Sequence, residues 1–154
     1  MKNRHEYQVA IEWQGNTGSG TQTYSSYERT YSIQASSTST IADSSDPKFQ
    51  GDPAFWSPEN LLVASLSACH QLWYLSLCAK AGIVVAAYED VAVGIMVEDQ
   101  DGGGQFERVL LQPRVTLKNA ADRPRAAALH EQAHALCFIA RSVNFPVDCE
   151  PQFV

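Results

Sequence analysis

A long apolar segment between residues 57 and 82 constrains the fold of this 154-residue chain more than any other feature. Ser57 is a good N-cap, Pro58 suits a first helical turn, and Gly82 suits a C-terminal stop. Apolar or small residues form two adjoining stripes in between: Leu62, Leu66, Cys69 and Trp73 in one, and Leu61, Ser65, Ala68, Leu72 and Leu75 in the other. Stripes that cover this much of a helix predict that it is central and buried.

Alternating patterns typical of β-strands lie on both sides of this helix. The predicted strands cover residues 7–13, 21–24, 27–35, 88–97, 106–117 and 147–153. A glycine-rich turn at residues 99–104 predicts a hairpin, and residues 36–56 predict a long loop. In the third strand, Arg29 falls on the apolar face, because alternate residues of a strand share a face.

A second helix is predicted from the cap residue Asp122 to about Ser142. Its inward stripe consists of Ala126, Leu129, Ala133, Leu136, Cys137 and Ala140. The resulting order, β-β-β-α-β-β-α-β, predicts an α+β fold with a long central helix against mostly antiparallel sheet. The sequence shows no repeat and no internal boundary, so we expect one domain over residues 1–154.

Composition and charge exclude several classes of function. Apolar residues make up 45% of the chain, the formal net charge is −6, and the 11 Lys and Arg residues never cluster. A nucleic-acid groove or a site for anionic membranes needs clustered positive charge. No stretch approaches the roughly 18 consecutive apolar residues of a spanning helix, and residues 1–6 lack an apolar signal core. We expect a soluble, cytoplasmic protein without nucleic-acid or membrane partners.

The chain has four cysteines, at positions 69, 78, 137 and 149, and no two of them form a CxxC motif. Structural disulfides are rare in a reducing compartment. Cys69 and Cys137 lie on the packing stripes of the two helices among small residues, so their Cα atoms can come within the roughly 7 Å that a disulfide needs. Two interpretations remain open: Cys69 and Cys137 are inert core thiols, or they form a redox pair. Cys78 and Cys149 are predicted to be structural.

Arg29 needs a partner if its strand face is buried, because an isolated buried guanidinium is costly. Most carboxylates lie on turns and exposed faces, so Glu59, at the entrance of the first helix, is the natural partner. A cation near a cysteine would favour the reactive thiolate. The alternative is a surface arginine at a frayed strand end.

The second helix contains the segment His130-Glu131-Gln132-Ala133-His134. It matches the H-E-x-x-H pattern, in which two histidines one turn apart bind zinc and the glutamate acts as a base. Glu150 lies downstream as a third candidate ligand. The context does not favour a metalloprotease, because the histidines sit mid-helix beside an inward stripe and Glu150 falls in a terminal strand. A zinc hydrolase stays an alternative, and we expect no metal.

Two segments resemble the OsmC/Ohr family of osmotically inducible and organic hydroperoxide resistance proteins. Residues 57–70, SPENLLVASLSACH, are similar to the family's central-helix signature, and residues 133–142, AHALCFIARS, to its second-cysteine helix. The predicted element order is also that of the family. Phe138 follows Cys137 where many members have proline, which indicates an OsmC-like subgroup.

The resemblance implies a thiol peroxidase that acts as an intertwined homodimer on organic hydroperoxides, with an external dithiol as reductant and no cofactor. Cys69 matches the peroxidatic cysteine, Cys137 the resolving cysteine, and Glu59 the glutamate that pairs with a catalytic arginine, for which Arg29 is the candidate. Because Glu59 and Cys69 are separated by about 15 Å of helical rise, an arginine bridge, a helix break or a partner chain must connect them. A non-enzymatic, small-molecule-binding domain of the same family is the other alternative.

Overall fold

The α+β fold class is confirmed. The structure, a computed structural model, describes residues 4–154. They fall into two compact units whose boundary lies between Leu61 and Leu62. The first unit contains one three-stranded sheet, and the second contains two three-stranded sheets and a second α-helix. One domain over residues 1–154 stays a prediction.

The sheet of the first unit is antiparallel, in the order β1-β2-β3. Its strands are β1 (Ala10–Trp13), β2 (Tyr31–Gln34) and β3 (Ile41–Asp43). The strand β3 and a short 3-10 helix, Pro47–Phe49, both lie within the segment predicted to be a loop.

Two strand predictions in this unit are wrong. Residues 21–24 form turns, and β2 begins only at Tyr31, so Arg29 precedes the strand instead of lying on its face. Side chains hold this segment in turns, because Asn16 accepts hydrogen bonds from the backbone N–H groups of Gly18 and Gly20. The Ser26 hydroxyl also contacts nearby carbonyl oxygens, and such local bonds compete with strand pairing.

The first long helix, α1 (Pro58–Lys80), has the bounds that its sequence signals predict. The Ser57 hydroxyl accepts from the N–H of Asn60, whose side-chain oxygen accepts from the N–H of Ser57. This reciprocal pair satisfies two donors at the helix start. Beyond the other end, Gly82 adopts φ +71°, a left-handed conformation that glycine enters without penalty. Because α1 is continuous, the helix break considered above is wrong.

The second unit contains six strands in two sheets. They are β4 (Val85–Asp90), β5 (Val93–Glu98), β6 (Gly104–Leu111), β7 (Pro113–Leu117), β8 (Val147–Cys149) and β9 (Gln152–Phe153). The sheet orders are β4-β7-β9 and β5-β6-β8, in which β8 and β9 join as parallel neighbours. The predicted hairpin around residues 99–104 joins β5 to β6.

Each of the three long strands predicted in this unit is divided into two. β4 pairs with β7, and β5 pairs with β6, so the halves of one predicted strand belong to different sheets. At one corner the Asp90 carboxylate accepts a hydrogen bond from the N–H of Gln112. The next residue, Pro113, has no N–H to donate and suits the first position of a strand.

The second helix, α2 (Arg123–Leu136), ends earlier than predicted. Cys137 is its C-cap, with an extended backbone at φ −66° and ψ 113°, and a 3-10 helix follows at Ala140–Ser142. Cys137 therefore terminates α2 instead of lying within it. Leu136, predicted to face inward, is 37% exposed.

The core of the second unit is built around one stripe of α1. Its buried residues recur every four positions: Leu66, His70, Tyr74 and Cys78. Cys69 lies beside this stripe and is only partly buried. Among residues 4–154, α1 is also the one helix whose length and composition would allow a membrane crossing, with a mean hydropathy of 1.3 over an 18-residue window.

Candidate active site

The thiols of Cys69 and Cys137 come together in the second unit, and both are free. α1 positions Cys69, and the end of α2 positions Cys137, which is 1% exposed. Burial, followed by the neighbouring Cys69 thiol, raises the pKa of Cys137 to about 11. The N–H of Ala140 lies 3.4 Å from the Cys137 sulfur and lowers the pKa of this thiol. At neutral pH Cys137 is therefore a protonated thiol beside Cys69.

Cys69 lines an open, mainly apolar cavity of about 330 Å³. The other lining residues are Leu72, Trp73, Ser76 and Phe138. Trp73 and Phe138 meet edge to face with their ring centroids 5.7 Å apart, which joins α1 to the segment that follows α2. Since Leu72 and Phe138 are 68% and 65% exposed, a ligand with an apolar group can reach Cys69 from solvent.

The guanidinium of Arg29 is held within its own segment of the first unit. It donates hydrogen bonds to the carbonyl oxygens of Tyr24 and Tyr27 and lies over both aromatic rings, 4.4 and 4.2 Å from their centroids. The sequence predicts Glu59 as its carboxylate partner. Within residues 4–154, the two ion pairs are Arg114–Glu89 and Arg125–Asp122, and neither involves Arg29.

Glu59 lies in the first turn of α1, as its position after Pro58 requires. Its Oε2 atom is buried and has no hydrogen-bond partner among the described residues, and both carboxylate oxygens of Asp43 share this condition. Burial raises the pKa of Tyr31, and the nearby carboxylates of Asp43 and Glu59 raise it further. The first unit thus holds buried carboxylate oxygens with which a hydrogen-bond donor or a cation could pair. A role for Glu59 or Arg29 in catalysis stays a prediction.

A second buried cluster begins at His70, the residue after Cys69, and the sequence patterns did not predict it. His70 from α1 faces His130 from α2, with 3.0 Å between Nε2 of His70 and Nδ1 of His130. The sulfur of Cys149, at the end of β8, lies 3.6 Å and 3.9 Å from these two nitrogens. The ring of Tyr74 stacks on His130 at a centroid distance of 3.8 Å.

Burial is the main cause of the charge states in this cluster. It lowers the pKa of both His70 and His130 to about 4, and it raises the pKa of Cys149 to about 12. Cys149 was predicted to be structural, yet its sulfur contacts two imidazoles. The spacing of four residues from Leu66 to His70 and from His70 to Tyr74 is the sequence signal that could have placed His70 in the core.

The H-E-x-x-H residues do not act together in this fold. His130 is buried and directed at His70, whereas Glu131 and His134 are exposed. Within residues 4–154, the group of side chains that could share a cation contains His130 but neither Glu131, His134 nor Glu150. The one-turn spacing of the two histidines therefore does not correspond to a shared zinc site.

The fold and the thiol pair define the class of protein. It is a two-helix α+β protein in which two cysteines distant in sequence lie beside an apolar cavity. The chain belongs to the OsmC-like protein family, whose model matches residues 50–152. The resemblance found in the sequence is thus confirmed. Among the curated proteins, none matches this chain.

Solved structures of similar fold come from several bacteria. An OsmC-like protein of unknown function from Vibrio cholerae is 31% identical, with a TM-score of 0.85 over 96% of this chain and 99% of that one. An organic hydroperoxide resistance protein from Elizabethkingia anophelis is 16% identical, with a TM-score of 0.70 over 99% and 98% of the two chains. The organic hydroperoxide resistance protein OhrB of Bacillus subtilis is 18% identical, with a TM-score of 0.62 over 97% and 98%.

Proposed function

We propose that this protein is a thiol peroxidase that reduces organic hydroperoxides through Cys69 and Cys137. One observation supports this more than any other: Cys69 lines an apolar cavity and lies close enough to a second, buried thiol, Cys137, to raise the pKa of that thiol. The names of the similar proteins from Elizabethkingia anophelis and Bacillus subtilis, which refer to organic hydroperoxide resistance, agree with this chemistry. The apolar lining favours peroxides with an organic substituent over hydrogen peroxide.

In the first step the Cys69 thiolate attacks the distal oxygen of ROOH. A sulfur–oxygen bond forms, the oxygen–oxygen bond breaks, and the alkoxide takes a proton from solvent and leaves as ROH. The sulfur of Cys69 is oxidised by two electrons to a sulfenic acid, and the peroxide is reduced by the same two electrons.

In the second step Cys137 resolves the sulfenic acid. Its sulfur attacks the sulfur of Cys69, a disulfide forms, and the hydroxyl group leaves with the Cys137 proton as water. An external dithiol then restores both thiols in two exchange steps and is itself oxidised to a disulfide. Two neighbouring thiols in one chain make the resolving step intramolecular, which protects Cys69 from further oxidation.

The test is peroxide consumption with cumene hydroperoxide, measured side by side with a dihydrolipoyl-type and a thioredoxin-type dithiol. Cys69→Ser should lower kcat/KM at least about a thousandfold, the scale expected when a nucleophile is removed. Cys137→Ser should leave a sulfenic acid on Cys69 after one turnover, detectable by mass spectrometry with a sulfenate-specific reagent. Cys78→Ala, which changes a buried thiol elsewhere on α1, is the control. Full activity in Cys69→Ser would refute the mechanism.

A non-enzymatic, small-molecule-binding role is the second candidate, and the apolar cavity is the observation that favours it. In that case Cys69 and Cys137 would stay reduced. Titration of free thiols before and after one equivalent of cumene hydroperoxide separates the two roles. The peroxidase loses two thiols per chain and regains them with dithiol, whereas the binding domain loses none.

The proposal includes a homodimer and a cytoplasmic location, where dithiol reductants are available. OsmC/Ohr proteins are soluble. A dimer would cover apolar side chains outside the cavity, such as Val91 and Val93, which a single chain leaves exposed.

A further inference from the structure

Three metal-binding side chains converge in the second unit, where α1, α2 and β8 each supply one. The facing atoms are Nε2 of His70, Nδ1 of His130 and Sγ of Cys149, and all of them lie within 4.8 Å of one another. Both histidines are buried, at 1% and 4% exposure, while Cys149 is partly exposed. An ion can therefore approach past Cys149, while the two imidazoles form the closed end of the site.

The separations between these atoms match the edges of a tetrahedral zinc site. Zinc–nitrogen bonds of about 2.0–2.1 Å and zinc–sulfur bonds of about 2.3 Å imply edges of about 3.3 Å between nitrogens and about 3.6 Å between nitrogen and sulfur. The observed distances are 3.0 Å for the nitrogen pair and 3.6 and 3.9 Å for the two nitrogen–sulfur pairs. Side-chain shifts of a few tenths of an ångström would bring all three atoms to bonding distance of one ion.

The donor types select the kind of metal. Two imidazoles and one thiolate suit zinc and its soft or borderline neighbours, whereas magnesium and calcium require oxygen ligands. Charge also agrees with a divalent ion. The carboxylate of Asp90, held by the Ser67 hydroxyl and the N–H of Gln112, interacts electrostatically with His70 and Cys149. One thiolate and one carboxylate would neutralise the two positive charges of the ion.

We propose that His70, His130 and Cys149 form a binding site for a thiophilic divalent metal ion, with Zn²⁺ as the best-matched occupant. The sequence predicts no metal, because His130 and His134 lie mid-helix beside an inward stripe and Glu150 falls in a terminal strand. The site does not use Cys69 or Cys137, so it is compatible with thiol chemistry there. It cross-links α1, α2 and β8 and fixes the turn of α1 that precedes Tyr74.

The test uses Co²⁺ as a spectroscopic probe on the full, reduced and metal-free protein. The wild type should bind one equivalent, with a thiolate-to-cobalt charge-transfer band in the near ultraviolet and the strong visible bands of a tetrahedral site. Zn²⁺ should displace the cobalt and abolish both the charge-transfer band and the visible bands. Cys149→Ser should remove the charge-transfer band. It should also weaken cobalt binding by more than about tenfold, because loss of a residue that only hydrogen-bonds to a metal ligand already weakens binding by about that factor.

Controls separate this site from other metal-binding groups. His134→Gln changes the exposed histidine of the same helix, and Cys69→Ser removes the thiol of the proposed active site, so both should keep the cobalt spectrum. His130→Gln gives a second ligand variant, and circular dichroism checks the fold of each protein. No stoichiometric band in the wild type, its persistence in Cys149→Ser, or its loss in Cys69→Ser would each overturn the site. The readout does not depend on peroxidase activity, so failure of one proposal leaves the other intact.

Discussion

Burial determines what the Cys137 thiol can do. Its pKa of about 11 results first from burial and then from the neighbouring Cys69 thiol. A thiol with this pKa is protonated and unreactive towards electrophiles in solution at neutral pH, because the thiolate is the nucleophile. In the proposed mechanism it would act only on a sulfenic acid formed beside it. The two cysteines would then differ in role.

This separation predicts a pH dependence for alkylation of Cys137 in the reduced protein. The rate should rise about tenfold per pH unit from pH 7 to 10, because the thiolate fraction grows until the pH reaches the pKa. Iodoacetamide labelling with peptide mass mapping measures it. In urea-unfolded protein the same residue returns to an ordinary value of about 8.5, so its rate should level off above about pH 9. A plateau below pH 9 in the folded protein would contradict the assignment.

The resemblance to OsmC/Ohr proteins pointed to Cys69 and Cys137 as a pair, whereas a local motif gave a false lead at His130. The helical stripes left the pair open, because Cys137 ends α2 instead of lying within it and Cys69 lies beside the buried stripe of α1. The partner of His130 is not His134, one turn away, but His70, sixty residues earlier in the chain. A short motif defines neighbours on one helix, and it contains no information about the element that packs against that helix.

At the scale of elements, α1 owes its start to local capping that can be tested directly. Ser57→Ala should lower the free energy of unfolding by about 1 kcal/mol, because the N–H of Asn60 loses its acceptor. Urea denaturation monitored by circular dichroism measures the change. Ser37→Ala is the matched control at an exposed turn position and should stay within about 0.5 kcal/mol of the wild type. Equal losses in the two variants would show that the cap does not stabilise α1.

The bounds of α1 were predictable and those of the strands were not, for one physical reason. Ser57, Pro58 and Gly82 act within one turn of the helix ends, so the sequence alone contains those signals. The division between β4 and β5 depends on pairing with β7 and β6, which are distant in sequence. The early end of α2 likewise depends on the extended backbone of Cys137, which no glycine or proline marks in advance.

At the scale of the whole molecule, the apolar surface of α1 predicts a homodimer. Only 22% of its most apolar 18-residue window is buried in the single chain. An obligate interface of more than about 2,000 Å² would cover such a surface. Light scattering coupled to size exclusion should give twice the chain mass at micromolar concentration, independent of dilution within that range. A monomeric mass would refute the prediction.

The edge-to-face contact between Trp73 and Phe138 gives the protein a built-in optical reporter. Trp73 shares the wall of the cavity with Cys69, and sulfur groups beside an indole quench its emission to an extent that depends on their oxidation state. The emission of Trp73, measured in a Trp13→Phe/Trp56→Phe background that removes the other two tryptophans, is expected to change when Cys69 is oxidised. Oxidation and recovery can be recorded in real time by stopped-flow mixing, without a label and without a coupled enzyme.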